Sequence, residues 1–290
     1  MNKNPIRILV LGATGMLGST MLKYLSSNKN IVLAGTIRSE RGKNYLPANL
    51  LTNLIVDIDV GNISSLNYLF DSFKPEVVIN CIGVVKQLDE AYDPLIALPI
   101  NSLLPHQLAH LCEKNRARLI SFSTDCVFSG GKGLYIEDDF PDANDLYGRS
   151  KYLGEIANKS NVLTLRTSII GHELNGARSL VNWFLAQNGS VKGYERVIFS
   201  GLPTVEVAKI VENFILPRPD LSGLYHLSGN PINKYDLLEL VAKIYSKDVK
   251  IIRDESVRID RSLNSLKFQS AVGFQPKPWP QLIKEMYQFH

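Results

Sequence analysis

Tyr147 and Lys151 stand four residues apart in "DANDLYGRSKYLGE" (142–155), so on a helix they project from one face. A phenol with an ammonium beside it is a proton donor carrying its own cation, and the positive charge is expected to lower the phenol pKa towards the working range. Upstream, "SFSTDCVFSG" (121–130) places Thr124 at the end of an apolar run, where its hydroxyl would bond and orient a substrate oxygen. The pair alone reads equally well as an exposed helix face whose start is capped by Asp142, Asn144 or Asp145, with Gly148 in the first turn and Leu153 and Ile156 as its apolar stripe. Thr124 turns the balance towards acid catalysis.

A second chemical pattern lies at the start of the chain. In "GATGMLG" (12–18), Gly12, Gly15 and Gly18 are spaced three apart between an apolar run and a helical pattern. Glycines at such a junction let backbone N–H groups approach a pyrophosphate at the positive end of a helix. The spacing departs from G-x-G-x-x-G, and a glycine-rich turn without a ligand is the alternative. Its place between the first strand and the first helix favours a dinucleotide. The second strand ends in "GTIRSERGK" (35–43), with Thr36, Arg38 and Ser39 where a carboxylate would hold a ribose 2′-hydroxyl. A guanidinium suits a 2′-phosphate, so NADPH is expected in preference to NADH, unless Arg38 and Arg41 are solvated surface residues. Asp57 is expected either at the adenine edge or in a turn.

These groups need a scaffold. Strand-like runs at 6–12, 31–38, 53–59, 76–83, 118–124 and 162–171 alternate with helical patterns, among them 63–73 and 100–115, with Pro105 in the first turns of the latter. Strands apolar on both faces, alternating with helices, predict an α/β fold with a doubly wound parallel (Rossmann) sheet. Beyond residue 172 the elements shorten and mix, which predicts a smaller mixed α/β C-terminal region leaning over the strand ends. The expected division is 1–171 for cofactor and catalytic residues and 172–290 mainly for substrate, with interleaving of the two left open. The 290 residues carry 32 basic and 28 acidic side chains, a net charge of +4 that suits a small anion and argues against nucleic acid. Cys81, Cys112 and Cys126 fit neither a disulfide framework nor a zinc pattern, so a reducing cytoplasm is expected. The chain enters a strand-like run at once, so no signal peptide is expected, and no apolar stretch approaches the length of a membrane span. His106 and His110 lack a third ligand, so no metal is expected, and Trp183 and Trp279 read as core or pocket walls.

Five stretches together resemble the extended short-chain dehydrogenase/reductase superfamily: "GATGMLG" (12–18), "NCIG" (80–83), "STDCVF" (123–128), "YGRSK" (147–151) and "LRTSIIG" (165–171). "STD", "YGRSKYLGE", "GLPTVEVAKIV" (201–211) and "GLYHLSG" (223–229) resemble its dTDP-4-dehydrorhamnose reductase branch, and the likeness runs over nearly the whole chain. The resemblance implies reduction by NADPH of a keto group, at C4, on a nucleotide-diphosphate deoxysugar destined for surface polysaccharide. Thr124, Tyr147 and Lys151 would be catalytic, Lys151 also holding the nicotinamide ribose. Gly12, Thr14, Gly15, Met16, Leu17, Gly18, Arg38, Asp57, Ile58, Cys81, Ile82, Gly83, Tyr147 and Lys151 would bind the cofactor. Val85, Lys86, Asp125, Cys126, Arg178 and Arg261 would contact substrate, with Arg196 and Arg258 as further cations for its diphosphate. Asn101 matches an asparagine near the active site, and a homodimer through the Tyr147 helix is the implied assembly.

Cys126 stands where the branch carries an aromatic residue, and residues 83–99 and 258–279 also depart from its pattern. A dehydratase would carry a glutamate at position 126, which a thiol does not replace. A combined epimerase/reductase resembling GDP-fucose synthase would use Cys126 as acid or base with His172 as partner. A non-catalytic subunit like the regulatory partner of methionine adenosyltransferase is the reading from another class.

Overall fold

The computed structural model describes residues 4–290; the first residues of the expected leaderless start lie outside the described residues. Strand β1 (Ile6–Leu11) shows why the sheet is covered on both sides. Side chains alternate along a strand, so Ile8 and Val10 enter one apolar layer while Leu9 and Leu11 enter the other. Strands β2 (Ile31–Thr36), β3 (Leu54–Ile55), β4 (Val77–Asn80), β5 (Arg118–Thr124) and β6 (Val162–Thr167) join it in one parallel sheet, β2 and β4 as its direct neighbours. After β7 (Ile169–Ile170), β8 (Ser190–Tyr194), β9 (Val197–Phe199) and β10 (Leu202–Pro203), strand β11 (Gly223–His226) returns to the same sheet. The order is β11-β6-β5-β4-β1-β2-β3, which places a topological switch point between β1 and β4.

One face is filled by helix α1 (Met16–Leu25) and the other by α2 (Ile63–Phe73), through Leu17 and Met21 on one side and Leu66, Leu69 and Phe70 on the other. After α3 (Pro94–Ala97), a π-helical turn at Leu98–Leu103 leads into α4 (Leu104–Lys114). Pro105 is the second residue of α4, but Leu103 and Leu104 before it are already helical, so its missing N–H leaves a gap in a continuous helical run next to the π-helical turn. Helix α5 (Leu146–Leu153) carries Tyr147 and Lys151, and α6 (Leu180–Ala186) and α7 (Thr204–Ile210) follow. Strand β12 (Ile232–Asn233) leads into α8 (Lys234–Tyr245), and then come β13 (Lys250–Asp254), β14 (Ile259–Asp260), α9 (Leu266–Val272) and α10 (Trp279–Phe289).

Two strands are much shorter than the apolar runs predicted, the second run ends two residues early at Thr36, and the run at 162–171 breaks at Ser168 into β6 and β7. The third ends at Ile55 because Asp57 adopts a left-handed φ of 61° and turns the chain away. The fourth ends at Asn80, so Cys81, Ile82 and Gly83 form a loop at the mouth of the sheet instead of strand. The two expected regions interleave: β11 and the β10 partner of β7 both come from beyond residue 171. No helix among the described residues is long and apolar enough to cross a membrane.

Candidate active site

At the switch point, Gly12 takes a φ of +82° and donates its N–H to the Thr36 hydroxyl at 3.2 Å. Gly15 caps α1 without a side-chain bond, so the first-turn N–H groups keep no partner within the helix. Gly18 allows the closest approach: a Cβ there would lie 2.1 Å from the Gly12 carbonyl oxygen. Thr14, Gly15 and Met16 line the accessible side of this turn, while Leu17 and Gly18 are buried and offer only backbone. Thr36 occupies the end of β2 in place of an acid, its hydroxyl holding the glycine turn, and Arg38 is exposed beyond it. The lining polar groups are therefore N–H donors and a guanidinium, which fits a phosphate-bearing dinucleotide. Asp57 is exposed in its turn, and Ile58 is buried in the core.

The side chains expected to be catalytic meet at the end of β5. Thr124 caps a short turn over Asp125–Val127, accepting the Cys126 N–H at 3.1 Å and donating to Asp125 Oδ1 at 3.2 Å. Asp145 caps α5 by accepting the Gly148 N–H at 2.8 Å. A Cβ on Gly148 would lie 2.3 Å from the Cys126 carbonyl oxygen, so only glycine lets α5 press against the Thr124 turn. Lys151 is buried and donates to the Phe122 carbonyl at 2.7 Å, with Gly83 close by. Asn101, in the π-helical turn, accepts the Val84 N–H at 2.9 Å and donates to the Val84 carbonyl at 3.0 Å and the Ser150 hydroxyl at 3.1 Å. It thereby ties the 81–84 loop to the helix that carries Lys151.

The electrostatics differ from expectation at one point. Burial pushes the Tyr147 phenol above its ordinary value, the neighbouring Cys126 and Asp125 add to this, and the Thr124 hydroxyl opposes it. The Lys151 ammonium donates to the Phe122 carbonyl, and burial outweighs the lowering that the Tyr147–Lys151 spacing predicts. Burial also pulls Lys151 down to about 8, with Glu155 opposing. The Cys126 thiol is pushed up to about 12 by burial and then by Asp125. Asp125 is raised by burial and held back chiefly by Arg261.

Of the proposed substrate contacts, Arg261 reaches this turn, donating from Nε to the Phe128 carbonyl at 2.8 Å. Lys86 pairs with Asp145 at 2.6 Å, bringing the 83–93 loop to the start of α5, with Val85 exposed beside it. Arg178 and Arg258 are exposed, and Arg196 pairs with Glu255 at 2.6 Å. His172 bonds the Tyr245 hydroxyl at 2.8 Å and stacks on His290 at 3.7 Å, so neither contact joins it to Cys126. Trp279 is buried and Trp183 partly exposed; His106 bonds the Leu153 carbonyl at 2.8 Å. No group of metal-binding side chains occurs among the described residues. Sequence reasoning missed Lys234, which is partly buried and lies in the electrostatic neighbourhood of Asp125, Cys126 and Arg261. The link is tertiary: β12 and β14 both pair with β9 at Ile198, which brings Lys234 and Arg261 to one side of the site.

The sequence profile described as RmlD substrate binding domain matches residues 6–289. The chain belongs to that family. Among its relatives, dTDP-4-dehydrorhamnose reductase of Aggregatibacter actinomycetemcomitans is 26% identical over 306 residues, covering 97% of this chain and 98% of the relative. Methionine adenosyltransferase 2 subunit beta of Xenopus tropicalis is 28% identical over 301 residues, covering 95% of this chain and 80% of that protein. The crystal structure of dTDP-4-dehydrorhamnose reductase from Bacillus anthracis in complex with NADP superposes with a TM-score of 0.79 at 22% identity, covering 98% of this chain and 99% of that one. This last likeness shows that the RmlD-family chain shares that fold.

Proposed function

We propose that the chain reduces a keto group, at C4, on a nucleotide-diphosphate deoxysugar with NADPH. The observation that carries this reading is the meeting of Thr124, Tyr147 and Lys151 at the end of β5, beside the glycine turn. NADPH, when bound, supplies the hydride. Tyr147 retains its proton at neutral pH, as burial dictates, and donates it to the oxygen that becomes negative. Thr124 orients that oxygen, and Lys151 holds positive charge beside the cofactor ribose. Arg261 and Lys234 are the cations suited to the substrate diphosphate. The reductase relative and the NADP-bound homologue support substrate class and cofactor. Turnover of dTDP-, UDP- and GDP-linked 4-keto sugars, followed by loss of NADPH absorbance, tests the reading; no oxidation with any of them overturns it. Tight NADPH binding without turnover would favour a binding subunit, the reading that the methionine adenosyltransferase relative keeps open.

Arg38 is the group that favours the 2′-phosphate. Arg38→Ala is expected to weaken NADPH binding about tenfold and leave NADH unchanged, measured by fluorescence titration. Equal losses for both cofactors would remove Arg38 from that role.

Reduction without epimerisation is supported by the protonated thiol of Cys126 and by the engagement of His172 with Tyr245 and His290. Product made in D2O is therefore expected to carry no deuterium on the carbons flanking C4, as read by NMR. Deuterium there would make Cys126 an acid–base group. The homodimer belongs to the same proposal, supported by the exposed Leu98, Leu103 and Leu153 beside α4 and α5.

A further inference from the structure

Just past the end of α5, the Glu155 carboxylate forms a bidentate pair with Arg166 of β6, Nε to Oε1 at 2.8 Å and Nη2 to Oε2 at 2.7 Å. The side chains are 5% and 2% exposed, respectively. Ser123 donates its hydroxyl to the same carboxylate at 2.6 Å. Arg166 is held in turn by the Phe128 ring, 5.1 Å below its guanidinium, and by the Glu137 carbonyl at 3.3 Å. A buried ion pair is a poor source of net stability, because desolvation offsets the attraction. Its placement points elsewhere. Phe122 and Ser123 are consecutive residues of β5; the first takes the Lys151 ammonium and the second takes Glu155, and the next residue is Thr124.

We propose that Glu155, locked by Arg166, is a positioning residue that keeps Lys151 charged and fixes the strand end carrying Thr124. This rests on the reading of Lys151 as the cation of the active site. The groups around Lys151 leave Glu155 as its one acidic influence. On its own helix Tyr147 is a phenol whose pKa is raised by burial, and from β5 a carbonyl faces it. The π-helical turn presents the amide of Asn101, and the 81–84 loop presents Gly83. From β6, Arg166 is neutralised by Glu155 itself, and His226 of β11 contacts Arg166, its own proton affinity pulled down to about 3 by burial. Asp125 and Cys126 act on the Tyr147 phenol.

The sign follows directly. Burial lowers the Lys151 pKa to about 8, so its charge is present below that pH and lost as pH rises through it, and Glu155 opposes the loss. Glu155→Gln keeps an acceptor for Ser123 while deleting the charge, so the Lys151 midpoint should fall by about one pH unit. The midpoint is read on the full-length chain, labelled with 15N-lysine and titrated by NMR, with Lys151→Met assigning the signal. An unchanged midpoint overturns the proposal. If Glu155→Gln folds poorly, the double variant with Arg166→Met leaves no unpaired guanidinium; with both charges gone the Lys151 midpoint should fall by less than in the single variant, and no fall at all overturns the proposal. In turnover, the alkaline limb of kcat should move by the same amount as the midpoint of the variant measured. A chain that turns over no nucleotide sugar would defeat the proposed function, yet the NMR midpoint would still decide the role of Glu155.

Discussion

Tyr147→Phe is expected to bind NADPH as the parent does and to lose turnover by about 10²–10⁴-fold, the range general-acid groups contribute. The substitution removes one oxygen and keeps the ring, so the contacts of α5 with the Thr124 turn survive. What disappears is the proton for the developing alkoxide, and nothing close by replaces it. Lys151 is committed to the Phe122 carbonyl at 2.7 Å. Fluorescence titration separates binding from chemistry, and single-turnover oxidation of NADPH reads the step itself. Turnover within tenfold of the parent would assign the proton to another group.

Gly18→Ala is the second large effect, and it acts on the fold and the cofactor together. The added carbon would sit 2.1 Å from the Gly12 carbonyl oxygen and 2.8 Å from its carbon, both backbone atoms with no rotamer to yield. Helix α1 must therefore move off the turn, at a cost of about 1–3 kcal/mol for overpacking. The displaced first-turn N–H groups would lose their aim at the pyrophosphate. Each charge-assisted bond lost weakens NADPH about tenfold or more. Gly15→Ala is the control: its Cβ would lie 3.4 Å from the same oxygen, which needs only a slight adjustment. Thermal melts of the two variants give the contrast, and equal melting would sink the steric account; NADPH titration of Gly18→Ala against the parent reads the loss of aim at the pyrophosphate.

Much of the site was legible because its parts are local. Helix α2 falls at 63–73 and β5 at 118–124, as their apolar periodicity predicts. The run at 53–59 was misleading beyond Ile55, since apolar composition does not register the left-handed turn at Asp57. Four arginines were equivalent as diphosphate candidates until the fold separated them. Arg261 arrives at the Thr124 turn, and Arg196 is claimed by Glu255 at the surface.

By itself the sequence determined the chemistry that depends on short spacing: the Tyr147–Lys151 face, the glycine turn before α1, and the parallel sheet implied by two-faced apolar strands. Helical periodicity and turn sterics act within a few residues, so they can be read without coordinates. Tertiary structure alone decided which distant charges share the site, among them Lys234, Arg261 and the Glu155–Arg166 pair. It also decided that the phenol is raised and that β11 closes the sheet from beyond residue 171. Burial and long-range strand pairing set those outcomes, and neither is encoded in any one segment.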